Sequence, residues 1–337
     1  MTDDKITTVE LGNGGPQVGV QGLGCMGMSE FYGDTDESAA RETLETALAA
    51  GVTLFDTADV YGRGANETFL APFVAAHRGE ITLATKFAIE RTDDPQYRGV
   101  RNDPAYIRQA VEDSLRRLNT DVIDLYYMHR RDPAVPLAES VGAMAELVQQ
   151  GKVNQLGLSE VTGAELREAY AVHPIAALQS EWSLFSRDVE RSAVPAAVEL
   201  GVTFVPYSPL GRGFLTGAFT DAAKDLSDGD FRKYQPRFTG DNAKTNAALL
   251  EPVHKIAAAH GASAAQVALA WVQQRAQVHG LNVVPIPGTR KSSRLLENVA
   301  ATRLTLTTEE LALLEPIAGQ VAGDRYPDMS STSAARE

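Results

Sequence analysis

The chain has 337 residues, 44% of them hydrophobic and 22% charged, which fits either two average domains or one large α/β barrel with ample core material. Its net charge of −13 excludes a broad cationic face for a nucleic-acid backbone, so any anion site has to be local. Cys25 is the only cysteine, so no intramolecular disulfide can form; MTDDKITTVE lacks a signal-peptide core, no apolar run reaches membrane-spanning length, and a cytoplasmic location is expected.

The opening KITTVELGNGGPQVGV predicts a hairpin across a Gly/Asn turn. Strand-like segments then start near Val20, Thr53, Thr82, Val122, Val153, Ala177, Val202 and Asn282, eight in all. Helical patterns separate them. Asp36 to Ala50 places Ala40, Leu44, Ala47 and Leu48 on one face, and Asp103 with Pro104 caps a helix whose apolar positions are Ile107, Ala110, Val111, Ser114, Leu115 and Leu118. Val141, Met144 and Val148 mark another. Capping boxes appear at Thr162/Glu165, Ser263/Gln266 and Thr307/Glu310.

Alternating strands and helices are the pattern of parallel βαβ units, and eight of them predict a closed (β/α)8 barrel over an open doubly wound sheet. GLGCMG near the first strand is not a G-x-G-x-x-G that opens a helix, which argues against a dinucleotide-binding sheet. The expected organisation is one domain over 1–337, with the barrel proper at about 18–300. A polar insertion after the seventh strand, Asp221 to Asn246, precedes a helix from about Ala247 to His260, and the stretch 219–246 is read as a lid over the barrel mouth. Helices near Arg294 to Ala300 and after Thr307 follow, then a tail over about 323–337 expected to be flexible.

In such a barrel the functional groups gather at the carboxyl ends of the strands. Those ends carry Asp56, Lys86, His129, Ser159, Gln179, Tyr207 and Ser208, with Tyr61 on the loop after the second strand. A lysine held by Asp56 beside the Tyr61 hydroxyl should lower the tyrosine pKa, and neutral His129 could polarise a shared carbonyl oxygen. Duller readings stay open for each. Asp56 could cap a turn, Lys86 could form a Schiff base, His129 could join Arg130, Arg131 and Asp132 in a surface cluster, and Asp56, His129 and Glu160 could ligate a metal, although no paired-His motif points to a metal site.

Taken in order, Asp56 and Tyr61 in D-x-x-x-x-Y, Lys86 in ATKF and His129 in DLYYMH resemble the aldo-keto reductase superfamily, over about Val18 to Asn298. The resemblance implies an NADPH-dependent carbonyl reductase with an Asp56-Tyr61-Lys86-His129 tetrad and a small aldehyde or ketone substrate. Potassium-channel β subunits resemble the same family, so a regulatory or redox-sensing NADP(H)-binding subunit is the alternative. The resemblance further implies cofactor contacts. Ser159 and Gln179 would hold the carboxamide, with Glu160 standing where an asparagine is usual, and Tyr207 would stack on the nicotinamide. Ser208, Pro209, Leu210, Arg212 and Gly213 would cover the pyrophosphate. Gly288, Thr289, Arg290 and Arg294 would hold the 2′-phosphate, and Glu297 and Asn298 the adenine. Gly24, Cys25 and Met26 would line the end of the first strand, with Cys25 as packing. Phe31, Tyr32, Tyr97 and Trp182 are candidates for an apolar substrate pocket or for ordinary packing, and no helix shows an apolar stripe that predicts an oligomer.

Overall fold

The computed structural model describes residues 5–30, 32, 35–92, 99–219, 225–226 and 229–337. Strands β1 (Thr8–Glu10) and β2 (Gln17–Gly19) form the expected antiparallel hairpin, Thr8 opposite Gly19. It plugs the amino-terminal end of the barrel. Leu11 and Val18 are buried against the barrel interior, Gly12 N–H donates to Thr203 Oγ1 at 2.8 Å, and Gly19 N–H donates to Thr53 Oγ1 at 3.1 Å.

The barrel strands are β3 (Leu23–Gly24), β4 (Leu54–Asp56), β5 (Thr82–Phe87), β8 (Ile123–Met128), β9 (Val153–Ser159), β10 (Ala177–Glu181) and β11 (Thr203–Tyr207), all parallel and hydrogen-bonded in that order. A short antiparallel pair, β6 (Ile89–Glu90) and β7 (Gly99–Val100), sits outside it. The eighth barrel segment is 282–286. Phe204 N–H donates to Asn282 O, Val284 N–H to Phe204 O and Ile286 N–H to Pro206 O, and Gly22 N–H closes the ring onto Pro285 O at 2.9 Å. Pro285 and Pro287 have no N–H to give, which limits this segment to a discontinuous ladder.

Around the ring lie α1 (Glu37–Ala49), α2 (Ala65–His77), α3 (Pro104–Leu118), α4 (Leu137–Gln149), α5 (Gly163–Val172), α6 (Ala193–Leu200), α7 (Gly240–Ala248), α8 (Glu251–His260), α9 (Ala264–His279), α10 (Ser292–Ala300) and α11 (Thr308–Leu314). The side-chain caps read from the sequence form. Asp103 accepts from Tyr106 N–H, and the boxes at Thr162, Ser263 and Thr307 close in both directions. The single helix expected over 247–260 is instead two, α7 and α8, separated at Leu249 and Leu250. Part of the expected lid, 220–224 and 227–228, lies outside the described residues, as do Phe31 and Tyr97. From 229 onward the insertion is short helical turns and α7, and Asn246 within α7 is buried, bonding both the N–H and the C=O of Ala322.

Strand alternation positions the site. Leu54, Ala84, Leu125, Tyr127, Ala177, Val205, Val284 and Ile286 fill the barrel interior. Asp56, Lys86, His129, Gln179 and Tyr207 each lie two residues on from a member of that layer, so the period of two aims them into the next layer up, at the mouth. Gly157 gives Tyr127 its space, since a Cβ there would overlap the tyrosine ring. Phe55, Leu83, Phe87, Tyr126 and Leu178 face outward into the larger core shared with the helices.

The segment 323–337, expected to be flexible, packs across the mouth instead. Arg325, Thr332 and Ser333 are buried, and Arg336 bonds both oxygens of Glu165. Its polar composition suggested solvent, but its polar groups are satisfied by partners far away in the chain.

Candidate active site

Lys86, with 0% exposure, is the centre of the site. Its Nζ donates to Asp56 Oδ1 and, at 2.8 Å, to Thr57 O, and it lies 3.4 Å from the Tyr61 hydroxyl. Gln179 Nε2 holds the other Asp56 oxygen at 2.8 Å. The His129 ring stands edge-on to Tyr61, centroids 5.9 Å apart, and its Nδ1 is buried without a hydrogen-bond partner. Sequence order therefore brought together four side chains that the fold also brings together.

The loop that carries Tyr61 is built to return. Asp59 N–H donates to Lys86 O and Tyr61 N–H to Ala58 O, and Gly62, Arg63 and Gly64 all take positive φ to turn into α2. Asn66, fully buried, braces it by accepting from Thr57 Oγ1 and donating to Cys25 O and Ser29 Oγ.

Burial opposes the ammonium form of Lys86, but Asp56 and Tyr61 more than offset it and the group sits above its ordinary value. A lysine that stays protonated is a poor amine nucleophile, which removes the physical basis for a Schiff-base reading. Tyr61 departs from expectation. Burial raises its pKa more than Lys86 lowers it, so the phenol stays above 10 and keeps its proton. For His129, burial first and then the Arg130 and Lys86 charges push the imidazole well below 6.5, which keeps it neutral. Burial likewise raises the Cys25 thiol, consistent with packing.

The alternative of a surface cluster around His129 does not hold for Arg130, which is only 8% exposed and donates to His129 O at 2.7 Å and Ser159 Oγ at 3.2 Å. A cation directly after a strand-end histidine was the available signal. Thr57, which supplies a backbone carbonyl to Lys86, left no signal at all, because any residue type has a carbonyl.

The remaining expected cofactor residues divide. Ser159, Gln179 and Tyr207 lie at the mouth, on the ends of β9, β10 and β11. Ser208, Gly211, Arg212 and Gly213 all take positive φ after β11, turning the chain sharply around Pro209 and Leu210. Arg212 stacks between Phe231 and Tyr326, and its Nη2 is buried with no hydrogen-bond partner, 3.7 Å from Glu181. Gly24 and Gly288 approach closely enough that a Cβ on Gly288 would lie 3.1 Å from Gly24 O, with Met26 just beyond on a short helical turn. Arg294 is exposed in the first turn of α10, with half-buried Glu297 and buried Asn298 further along. Arg290 crosses to the loop after β3, bonding Gly27 O, Thr35 Oγ1 and Tyr32 O. The Thr289 hydroxyl accepts from Lys291 N–H.

Glu160 is fully buried, with Arg325, Tyr207 and Ser333 on its oxygens. It therefore offers nothing to a metal shared with Asp56 and His129, and among the described residues no group of three or more His, Cys, Asp or Glu is placed to hold an ion. Trp182 is core, its Nε1 on Glu190 and its ring against Phe204, while the Tyr32 ring meets Phe231 edge-on at 5.3 Å. Among the described residues no helix is long and apolar enough to cross a membrane.

Comparison with known proteins adds to this geometry. The model of the Aldo/keto reductase family matches residues 22–318. The chain is similar to the glycerol dehydrogenase AKR11B4 from Gluconobacter oxydans, at 28% identity and a TM-score of 0.80, over 97% of this chain and 99% of that one. It is similar to the aldo-keto reductase AKR11C1 from Bacillus halodurans in its holo form, at 27% identity and a TM-score of 0.74, over 96% and 100% of the two chains. The aldo/keto reductase from Klebsiella pneumoniae, in complex with NADP and acetate, matches at 26% identity and a TM-score of 0.69, over 95% and 99%. These likenesses lie with reductases and a dehydrogenase and lend no support to the channel-subunit branch.

Proposed function

The chain belongs to the aldo/keto reductase family, and from that membership we propose that it is an NADP-dependent oxidoreductase that reduces a small aldehyde or ketone to the alcohol, with Tyr61 as proton donor. The residues at the mouth suit the cofactor. Arg212 has a buried guanidinium nitrogen without a hydrogen-bond partner, 3.7 Å from Glu181, the chain turns sharply through positive φ between Ser208 and Gly213, and Arg294 lies exposed in the first turn of α10. When bound, NADPH supplies the hydride that reduces the carbonyl carbon.

Each tetrad residue has a derivable part. Tyr61 keeps its proton in the buried site and would give it to the carbonyl oxygen. Lys86 stabilises the negative charge left on that oxygen pair, and Asp56 with Thr57 O fixes the ammonium and offsets its burial. His129, neutral and edge-on to Tyr61, would orient the carbonyl without adding a second charge. The observation that carries the reading is the 3.4 Å approach of the buried Lys86 ammonium to the Tyr61 hydroxyl at the barrel mouth.

The test follows NADPH absorbance with a panel of aldehydes and ketones for the parent and Tyr61→Phe. A loss on the order of a hundredfold or more is expected on removing the proton donor. Equal rates in the two proteins would sink the assignment, and tight NADP(H) binding without turnover by the parent would favour the sensing role instead.

A further inference from the structure

Glu160 stands where the family resemblance implies a carboxamide-binding asparagine, but its carboxylate is already committed. Oε1 accepts from Tyr207 OH at 2.7 Å and from Arg325 Nη1 at 3.0 Å; Oε2 accepts from Ser333 N–H at 3.1 Å and Ser333 Oγ at 3.2 Å. Arg336 Nη2 donates to its carbonyl at 2.6 Å, and the residue is held at a φ of 52°. Two segments of chain thus meet on one buried acid. One is the barrel strand end that bears Tyr207, and the other is the carboxyl-terminal tail.

A carboxylate with 0% exposure needs a cation, and Arg325 is the only one within ion-pair distance among the described residues. The docked tail therefore supplies the cation that offsets the burial of Glu160 and holds its carboxylate in place as an acceptor. Its acceptor bond is to the far end of the Tyr207 side chain. The hydroxyl oxygen lies on the χ2 axis, so its place fixes χ1, and the phenolic O–H, which prefers the plane of its own ring, ties that plane to the direction of the Glu160 acceptor. The Tyr326 hydroxyl, 3.2 Å from that of Tyr207, holds the same end from the other side.

We propose that Glu160 is a positioning residue through which the carboxyl-terminal tail sets the Tyr207 ring for the nicotinamide, so that Arg325 and Ser333 belong to the support of the cofactor site. The inference rests on the reading of Tyr207 as the ring that stacks on nicotinamide.

Calorimetry with NADP+ and with 2′,5′-ADP, which lacks the nicotinamide half, tests it on the full chain. Arg325→Leu and Tyr207→Phe should each weaken NADP+ on the order of tenfold, the scale of one lost hydrogen bond to a charged group, and leave 2′,5′-ADP unchanged. Arg325→Lys should recover part of the loss. The double variant should be no weaker than Arg325→Leu alone, because both act through the same hydroxyl. Equal losses for the two ligands, or additive losses in the double variant, would overturn the proposal, as would full NADP+ affinity in Arg325→Leu. Tyr326→Phe, which removes a single hydroxyl, gives the same discrimination should Arg325→Leu not fold. Full NADP+ affinity in Tyr207→Ala would remove the stacking reading itself, a result distinct from the others because it leaves the tail with no ring to set.

Discussion

Glu160→Gln should flatten the acid limb of the protein's stability curve. Burial alone would push this carboxyl up, but Arg325, Arg130 and the hydrogen bonds from Arg325 and Tyr207 outweigh it and hold the group at about 2, against 4.5 for a free side chain. The folded value is the lower one, so between these limits the unfolded chain binds a proton that the native chain does not. Stability from this group is complete above pH 4.5 and is lost as the pH falls towards 2. At about 1.4 kcal/mol per pH unit the span amounts to roughly 3 kcal/mol. Urea unfolding of the parent and of Glu160→Gln at stepped pH isolates it, because every other carboxylate titrates in both proteins and cancels in the difference. The parent's advantage near neutral pH should have mostly closed by about pH 2.5. A difference that stays constant with pH would refute the account of Glu160 as a charged, tail-held carboxylate.

Four more outcomes follow from the geometry. Lys86→Met leaves Asp56 buried without its cation and should cost about 3–5 kcal/mol in urea unfolding besides abolishing turnover; an unchanged midpoint would contradict the buried pair. The His129 ring should show no titration by nuclear magnetic resonance between pH 6 and 8, and because only the unfolded chain then takes up its proton, its contribution to stability should fall as the pH drops below 6.5. Gly157→Ala drives a methyl into the Tyr127 ring and should cost about 1–3 kcal/mol, with a thermal midpoint equal to the parent's counting against the packing described. The Cys25 thiol, buried and pushed up, should resist a thiol reagent until the protein unfolds; rapid labelling of native protein would show that the mouth opens.

What the sequence made legible was whatever depends on neighbours along the chain. Capping boxes at Thr162, Ser263 and Thr307 need four consecutive residues, and they formed. Asp56, Lys86 and His129 were readable because a polar residue at the end of an apolar strand stands out, and the strand period aims it. The tail was not readable. Arg325, Ser333 and Arg336 look like solvent-facing residues until the acid they surround, more than 160 positions earlier, is placed beside them. The clue available was Glu160 itself, a carboxylate directly after a buried strand with no local cation. The direction of the Tyr61 shift was missed for a related reason: the lysine's pull is visible in a motif, but the burial that outweighs it belongs to the whole mouth. The contacts of Arg290 with Gly27 O and Tyr32 O were likewise unreadable, because a short loop with two arginines does not say which of them a neighbouring backbone will meet.

Prolines at 206, 285 and 287 make the seam between β11 and the eighth segment a sparse part of the hoop, held by Phe204 N–H on Asn282 O, Val284 N–H on Phe204 O and Ile286 N–H on Pro206 O. The proposed dinucleotide contacts fall on either side of that seam, at Tyr207 to Gly213 and at Gly288 to Asn298, so the bound molecule would act as a clasp across it. Amide exchange at Val284 and Ile286 should then slow on adding NADP+, a reading of occupancy that needs no substrate and no turnover.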